Sequence, residues 1–385
     1  MSAAADLKAK STLAGRAAVI ATATMFGLTY SLSAALIALD LTARGLGEAV
    51  VGANAAMHAV GVLIVAVILP RLVAIVGMRR LVVVALVTAA VALLAFPALP
   101  LIWLWFPLRL LLGMASEILF VLSETWTNSL STEETRARSM AAYTASLSVG
   151  FALGPLILSV AGTGGFAPYA IGAAVALASI LFVISPLAEE PMFEKPEAGG
   201  VLRFMRLAPV AMAATVLNAA IETAGLSFLA IYAINLGWPE GQATQLMSCM
   251  MIGAILLQLP IGWLGDKMDR RKLLVALAAI AAGGALIWPL ALRNEIVTYA
   301  VLFVWGGGFV GIYTIMLTIV GSRFKGTELV GIYAAMGLMW GIGALAGPLL
   351  SGAAMQMTTH GLTFFAAAAC AAFMVFAILR GRREG

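Results

Sequence analysis

Charge is what this chain lacks most. Of its 385 residues only 11% are charged, against 62% hydrophobic. A soluble domain carries roughly 25% charged residues to cover its surface, so a soluble globule is excluded and the apolar faces must meet lipid. Cysteine is almost absent: Cys249 and Cys370 both fall inside apolar runs, which excludes a disulfide framework and makes them small apolar fillers. The two histidines, His58 and His360, are too few and too far apart for a metal cluster, so no metal ligands are assigned. There is no Gly-rich phosphate loop and no nucleophile–base constellation, so no catalytic residue is assigned and an enzyme is not expected. Met1 to Leu13 is polar and Ala-rich. No removable signal peptide is expected there, and the first apolar run targets the chain.

What the chain has in excess is long apolar runs. A membrane span needs ~20 apolar residues at a rise of 1.5 Å each. Twelve such runs occur, at 15–39, 48–70, 80–97, 101–123, 138–161, 167–187, 207–234, 241–264, 272–292, 296–320, 328–350 and 361–380. Strands of a closed barrel would alternate over ~10-residue segments, and these runs do not. Twelve transmembrane helices and an all-α membrane protein are therefore expected.

Lys and Arg set the orientation. Among 23 such residues, only Arg44 and Arg293 fall in outer segments and Arg109 within a span. All the others lie on the side shared by both termini, which places the termini in the cytoplasm. The same distribution explains the net charge of +5 without nucleic acid as a partner. The longest polar stretch includes Glu189, Glu190, Glu194 and Glu197. It divides the chain into an N-terminal bundle at 1–187, a cytoplasmic linker at 188–206 and a C-terminal bundle at 207–385. Landmarks recur at a steady offset: Gly61 with Gly253, Gly77-Met78-Arg79-Arg80 with Asp269-Arg270-Arg271-Lys272, and Gly150-x-x-x-Gly154-Pro155 with Gly343-x-x-x-Gly347-Pro348. Three landmarks in order predict a parallel repeat, two six-helix bundles related by a pseudo-two-fold along the membrane normal.

One charged turn stands out in this setting: Gly262-Trp-Leu-Gly-Asp-Lys-Met-Asp-Arg-Arg-Lys-Leu273. It resembles the loop between the second and third helices of each half of the major facilitator superfamily, usually Gly-x-Leu-x-Asp-Arg-x-Gly-Arg-Arg/Lys. The N-terminal counterpart departs from that pattern, with Pro70 in place of Gly and Ala74 in place of Asp. In the C-terminal half Asp269 replaces the second Gly. Arg109-x-x-x-Gly113 is similar to the family's fourth-helix motif, whose Arg is often tied to proton movement or substrate charge. Gly150-x-x-x-Gly154-Pro155 resembles part of the signature of the superfamily's antiporters, although Leu156-Ile-Leu-Ser159 stands where further glycines are usual. The small residues at 150, 154, 343 and 347 also read as helix-packing positions, with Pro155 and Pro348 bending their spans.

An ionisable group at mid-membrane costs roughly 2.5–3.5 kcal/mol, so each such group needs a reason. Glu222 is the sharpest case. It falls near the middle of the seventh span, with Asn218 one turn earlier on the same face. Shielded from water, such a carboxyl group can load and release a proton, or it can serve packing through Asn218. Tyr30 is its counterpart in the first span. By the resemblance, the first, fourth, seventh and tenth helices line the central cavity. Arg109 and Glu117 lie two turns apart on the fourth span, where each either flanks a ligand or finds a partner on another helix. Glu124, at that helix's inner end, is read as pairing with Arg79 or Arg80 in a cytoplasmic gate, and Asp266 with Arg270 and Arg271 as acting likewise. Solvated interfacial charges are the plainer alternative. Trp103, Trp105, Trp238 and Trp288 are expected in interfacial belts, and Trp305, Tyr313 and Trp340 nearer the cavity.

The resemblance implies a secondary active transporter of a bacterial inner membrane that needs no cofactor and draws on a proton gradient. Its partners are lipid, protons and a small molecule, and a monomer suffices. Proton-coupled export of a small lipophilic or weakly charged molecule is the leading expectation. Import of a metabolite such as an organic acid, with Arg109 holding a carboxylate, is the alternative. Sugars are disfavoured, because the polar candidates are only Asn218, Gln258, Tyr30 and Tyr313. A membrane sensor is the third class, and it would need a partner protein to signal.

Overall fold

The computed structural model describes residues 3–130, 136–185, 201–324 and 326–381. Among them no strand occurs, and almost every residue is helical. The helices are α1 (Ala3–Ala43), α2 (Glu48–Val76), α3 (Met78–Ala98), α4 (Trp105–Ser129), α5 (Arg136–Ala161), α6 (Ala167–Val183), α7 (Val201–Leu207), α8 (Pro209–Asn235), α9 (Glu240–Leu256), α10 (Gln258–Lys267), α11 (Arg270–Ala291), α12 (Glu295–Arg323), α13 (Gly326–Met357) and α14 (Gly361–Gly381). Ten candidate spans are long and apolar enough to cross a membrane, α9 and α10 together forming one of them. The apolar parts of α5 and α6 are shorter, at Ala145–Ala161 and Ala167–Val183. Large apolar side chains point outward: Ile75, Val160 and Leu259 are all more than four-fifths exposed. In water that would be costly, whereas against acyl chains it is neutral.

Two details differ from a plain reading of hydropathy. The eighth run is broken at Leu257, between α9 and α10. Pro260 explains the break, since its ring meets the carbonyl four residues back and it has no N–H to donate. The second detail is α7, within the expected linker. Residues 188–200 of that linker lie outside the described residues, and 201–206 are helical. There the Phe204 ring covers Gly331, and Arg203 reaches Glu328 at 3.9 Å.

The charged turn is shorter than the motif implies. α10 runs through Asp266 and Lys267, leaving only Met268 and Asp269 before α11. Asp269 caps α11: its carboxylate accepts from the amides of Arg271 at 2.9 Å and Lys272 at 3.0 Å. That is the physical reason for an Asp where the family usually has Gly. At the corresponding place before α3 stands Gly77, at φ 85°, a left-handed conformation that favours glycine. The amide of Lys272, then that of Arg271, holds the Asp269 carboxyl below its ordinary range. A lowered folded-state value means its contribution is complete at neutral pH and is lost as pH falls through that value. Asp269→Ala is expected to lower the unfolding temperature at pH 7 and to make less difference in strong acid, whereas Asp269→Asn keeps much of the cap. Thermal unfolding at the two pH values checks this.

The chain forms two compact units. One holds residues through Leu36 and those from Met57 to α6; the other holds Ile37–Ala56 and everything from α7 onward. Residues 37–56, the turn-proximal parts of α1 and α2, thus group with the second unit, whereas the sequence reading put all of 1–187 together.

Inside the first unit, α1 and α5 touch backbone to backbone. A Cβ on Gly150 would meet the Thr24 carbonyl, one on Gly27 the Leu147 carbonyl, and one on Gly154 would meet Ser31 and Leu32. Likewise α2 and α4 cross where Gly113 meets His58 and Gly61 meets Leu110. The second unit repeats both crossings. Gly343 abuts Val216 and Gly347 abuts Ala220 between α13 and α8, while Gly253 abuts Phe303 and Gly306 abuts Met250 between α9 and α12. Three of these contacts match across the units at the offset read from sequence: Gly150–Thr24 with Gly343–Val216, Gly113–His58 with Gly306–Met250, and Gly61–Leu110 with Gly253–Phe303. Close approach of this kind permits Cα–H···O contacts and dense packing, the main sources of helix association where lipid supplies no hydrophobic drive.

Candidate functional site

The α1–α5 and α8–α13 crossings fix the level of the principal candidate. Glu222 lies two residues beyond Ala220, the residue against which Gly347 of α13 packs, and Tyr30 is its expected counterpart by the sequence offset alone. Glu222 lies near the middle of α8. Its carboxyl Oε2 accepts from Asn218 Nδ2 at 3.3 Å, one helical turn back. Among the described residues no Lys or Arg forms an ion pair with it. Asn218 is buried, and its side-chain carbonyl Oδ1 lacks a hydrogen-bond partner among the described residues. The surrounding hydroxyls are turned to their own helix: Thr215 bonds the Ala211 carbonyl and Thr223 that of Ala219. The arrangement is a carboxyl group bonded to one neutral amide.

The first unit holds a second polar cluster. Arg109, on α4, is 2% exposed. Its Nη1 donates to Ser33 Oγ on α1 at 2.9 Å, and its Nε has no partner among the described residues. Tyr30, Tyr169 and His58 lie within electrostatic reach of the guanidinium. His58, on α2, meets Tyr30 edge-on with ring centroids 4.6 Å apart, and neither of its ring nitrogens has a hydrogen-bond partner among the described residues. Phe151 packs on Tyr30 at 5.8 Å. Sequence reading missed Ser33. A Ser-x-Ser pair at 31 and 33 in an apolar span was a signal, but nothing in the sequence told which hydroxyl faces α4.

The other candidates are less concentrated. Glu117 sits two turns beyond Arg109 without pairing to it; the guanidinium turns to Ser33 instead. Glu124 is half-buried near the end of α4, two turns further. Arg79 and Arg80 stand in the first turn of α3. Asp266 pairs with Arg270 at 3.5 Å, and Arg270 Nε also donates to the Gly265 carbonyl at 3.1 Å, tying the end of α10 to α11. Arg271 lines a cleft at the same end of the unit.

Several tryptophan expectations need correction. Trp305 does not face open space: it is buried, donates Nε1 to the Ala281 carbonyl at 2.9 Å and stacks on Phe309. Trp288 and Trp105 are buried rather than exposed in a belt. For Trp305 a glycine explains part of this, since Gly284 opens the space that its indole fills. Trp103, by contrast, is 79% exposed.

The comparisons with known proteins agree with this architecture. The family model described as Major Facilitator Superfamily matches residues 18–348 and 210–385. The chain belongs to that superfamily and is a membrane transporter of its type. An MFS-type transporter of Bacillus subtilis (strain 168), YfkF, is 25% identical over 338 residues, 86% of each chain. Another, from Enterobacter sp. (strain 638), is 24% identical over 286 residues, 73% of each. Among solved structures, the nucleoside transporter NupG superposes with a TM-score of 0.71 at 13% identity, covering 97% of this chain and 96% of that one. A bacterial homologue of the human lysosomal transporter Spinster, inward-facing and unoccupied, gives 0.71 at 12% identity, covering 97% and 95%. At such identities the likeness is one of fold.

Proposed function

We propose that this chain is a proton-coupled secondary transporter that works by alternating access and exports a small lipophilic or weakly charged molecule. Its twelve apolar runs would act as two sequence-related halves, 1–187 and 207–385, joined by the 188–206 linker, in a bacterial inner membrane with both termini in the cytoplasm. The observation that carries the reading is Glu222: a carboxyl group in the middle of a membrane helix, bonded to Asn218 and paired with no cation among the described residues. A structural carboxylate at that depth would be expected to have a cation beside it. A carrier of protons must instead be stable in both states. The proton gradient is the energy source in this reading, and Tyr30 marks the matching place in the other half. Asp266 with Arg270, and Glu124 with Arg79 or Arg80, are the proposed gates. One experiment tests the whole reading. Inside-out vesicles with a respiration-driven acid interior receive a panel of lipophilic cations, drugs, amino acids and organic acids, while a pH-quenched dye reports proton release. Recovery of fluorescence with a compound supports proton-coupled export; silence across the panel, with uptake in whole cells, would replace export by import.

Import has one observation in its favour. Arg109 is a buried guanidinium with a Ser33 hydroxyl for a partner and no carboxylate among the described residues. A substrate carboxylate would supply the missing charge. In that case Arg109→Lys loses the fork geometry, and organic-acid uptake is expected to fall at least tenfold, about the effect of losing one charge-assisted bond. Uptake that survives in Arg109→Gln removes Arg109 from substrate binding.

A further inference from the structure

The basic end of the second unit carries a small, open cleft. It opens where α8 and α11 begin and where α12 and α14 end. Its wall is apolar, made by Val210, Leu274, Val275 and Ile319 among others, and no described lining residue is acidic. Arg271 and Arg323 also line it, and both are exposed, so their guanidinium groups stand at its mouth. Ala377 of α14 closes one side; beside it in sequence Ile378 and Leu379 are exposed apolar side chains. The wall therefore continues onto a lipid-facing helix.

Two charges above a greasy wall match one kind of molecule. We propose that this cleft binds an anionic phospholipid of the adjoining leaflet, with its phosphate at Arg271 and Arg323 and its glycerol and first methylenes against the apolar wall. Basic recesses between membrane helices suit such headgroups. The helix dipoles do not decide the matter: the positive end of α8 and the negative end of α12 meet at the same rim and offset each other. The attraction rests on the two arginines. A soluble phosphate would be poorly served here, because apart from them the lining offers few donors. Arg380, three residues beyond Ala377, adds a further cation on the same helix.

Native mass spectrometry of the detergent-solubilised full chain tests this. Phosphatidylglycerol is compared with phosphatidylcholine of the same acyl chains. The parent is expected to hold phosphatidylglycerol roughly 10–30-fold more tightly than Arg271→Gln/Arg323→Gln does, as expected for two lost surface cations. Arg271→Lys/Arg323→Lys keeps the charge and is expected to retain the lipid, which separates loss of the site from loss of the fold. Val275→Trp fills the apolar wall and spares both arginines, and it too is expected to lose the lipid. Equal binding of both lipids, or unchanged binding in the Gln variant, overturns the proposal. So does displacement of the lipid by a large excess of inorganic phosphate with Val275→Trp unaffected, since the site would then serve a soluble anion.

Discussion

Glu222→Gln is expected to abolish pH-driven flux while the protein still folds and still binds its substrate. Glutamine has the shape of a protonated glutamic acid and can still accept from Asn218 Nδ2, so the bond now seen at 3.3 Å persists. It cannot release a proton, so the cycle stalls in one protonation state. In inside-out vesicles, substrate-dependent proton release is expected to drop to the background of vesicles lacking the protein. Equilibrium exchange of labelled substrate, which needs no net proton movement, persists, and its pH dependence flattens. The split matters because a carboxyl group kept only for packing would give another pattern: flux and exchange would fall together or not at all. Unchanged proton-coupled flux in Glu222→Gln sinks the assignment of Glu222 as carrier. Removing the neighbour instead, as in Asn218→Ala, leaves the carboxyl group present and is expected to reduce flux rather than end it.

The second large effect is on the fold. Gly306 and Gly308 lie two residues apart on α12 but in opposite surroundings. A Cβ at 306 would run into the Met250 carbonyl, whereas one at 308 has open space around it. Gly306→Ala therefore forces two backbones apart, and overpacking of this kind costs about 1–3 kcal/mol. Gly308→Ala relieves the entropy of a helical glycine and is expected to stabilise by about 0.5–1 kcal/mol. Gly113→Ala, at the matching crossing of the first unit, should behave as Gly306→Ala does, because its Cβ would meet the His58 carbonyl. Heating followed by size-exclusion chromatography ranks the three. A neutral Gly306→Ala would mean that α9 and α12 can part without loss, contrary to the packing described.

Much of this is legible in the sequence. The positions of the helices follow from run length, because lipid leaves a helical segment no other way to satisfy its backbone. The offset between halves was also legible, and it reappears as matched glycine crossings. Glu222 and Arg109 were conspicuous because charge inside an apolar run is costly. Faces were not legible. In a soluble helix polarity marks the outer side, but here both lipid and core are apolar, so the sequence did not separate lipid-facing Leu259 from buried Trp305. Partners were hidden for the same reason. Arg109 turns to Ser33 on a helix 76 residues away rather than to an acid on its own helix. The break at Leu257 was readable from Pro260, yet hydropathy alone ran across it.

The backbone crossings also limit how either unit can deform. Where α2 meets α4 and α9 meets α12, a carbonyl sits in the hollow left by a missing side chain. To slide one helix past its neighbour by even a residue would bring a side chain into that hollow. Sliding is thus opposed along α1–α5 and α2–α4 in one unit and along α8–α13 and α9–α12 in the other. Domain motions divide into hinge and shear, and these crossings oppose shear between the helices that make them. Bending is left to the places without such a lock, such as the proline-broken step at Leu257.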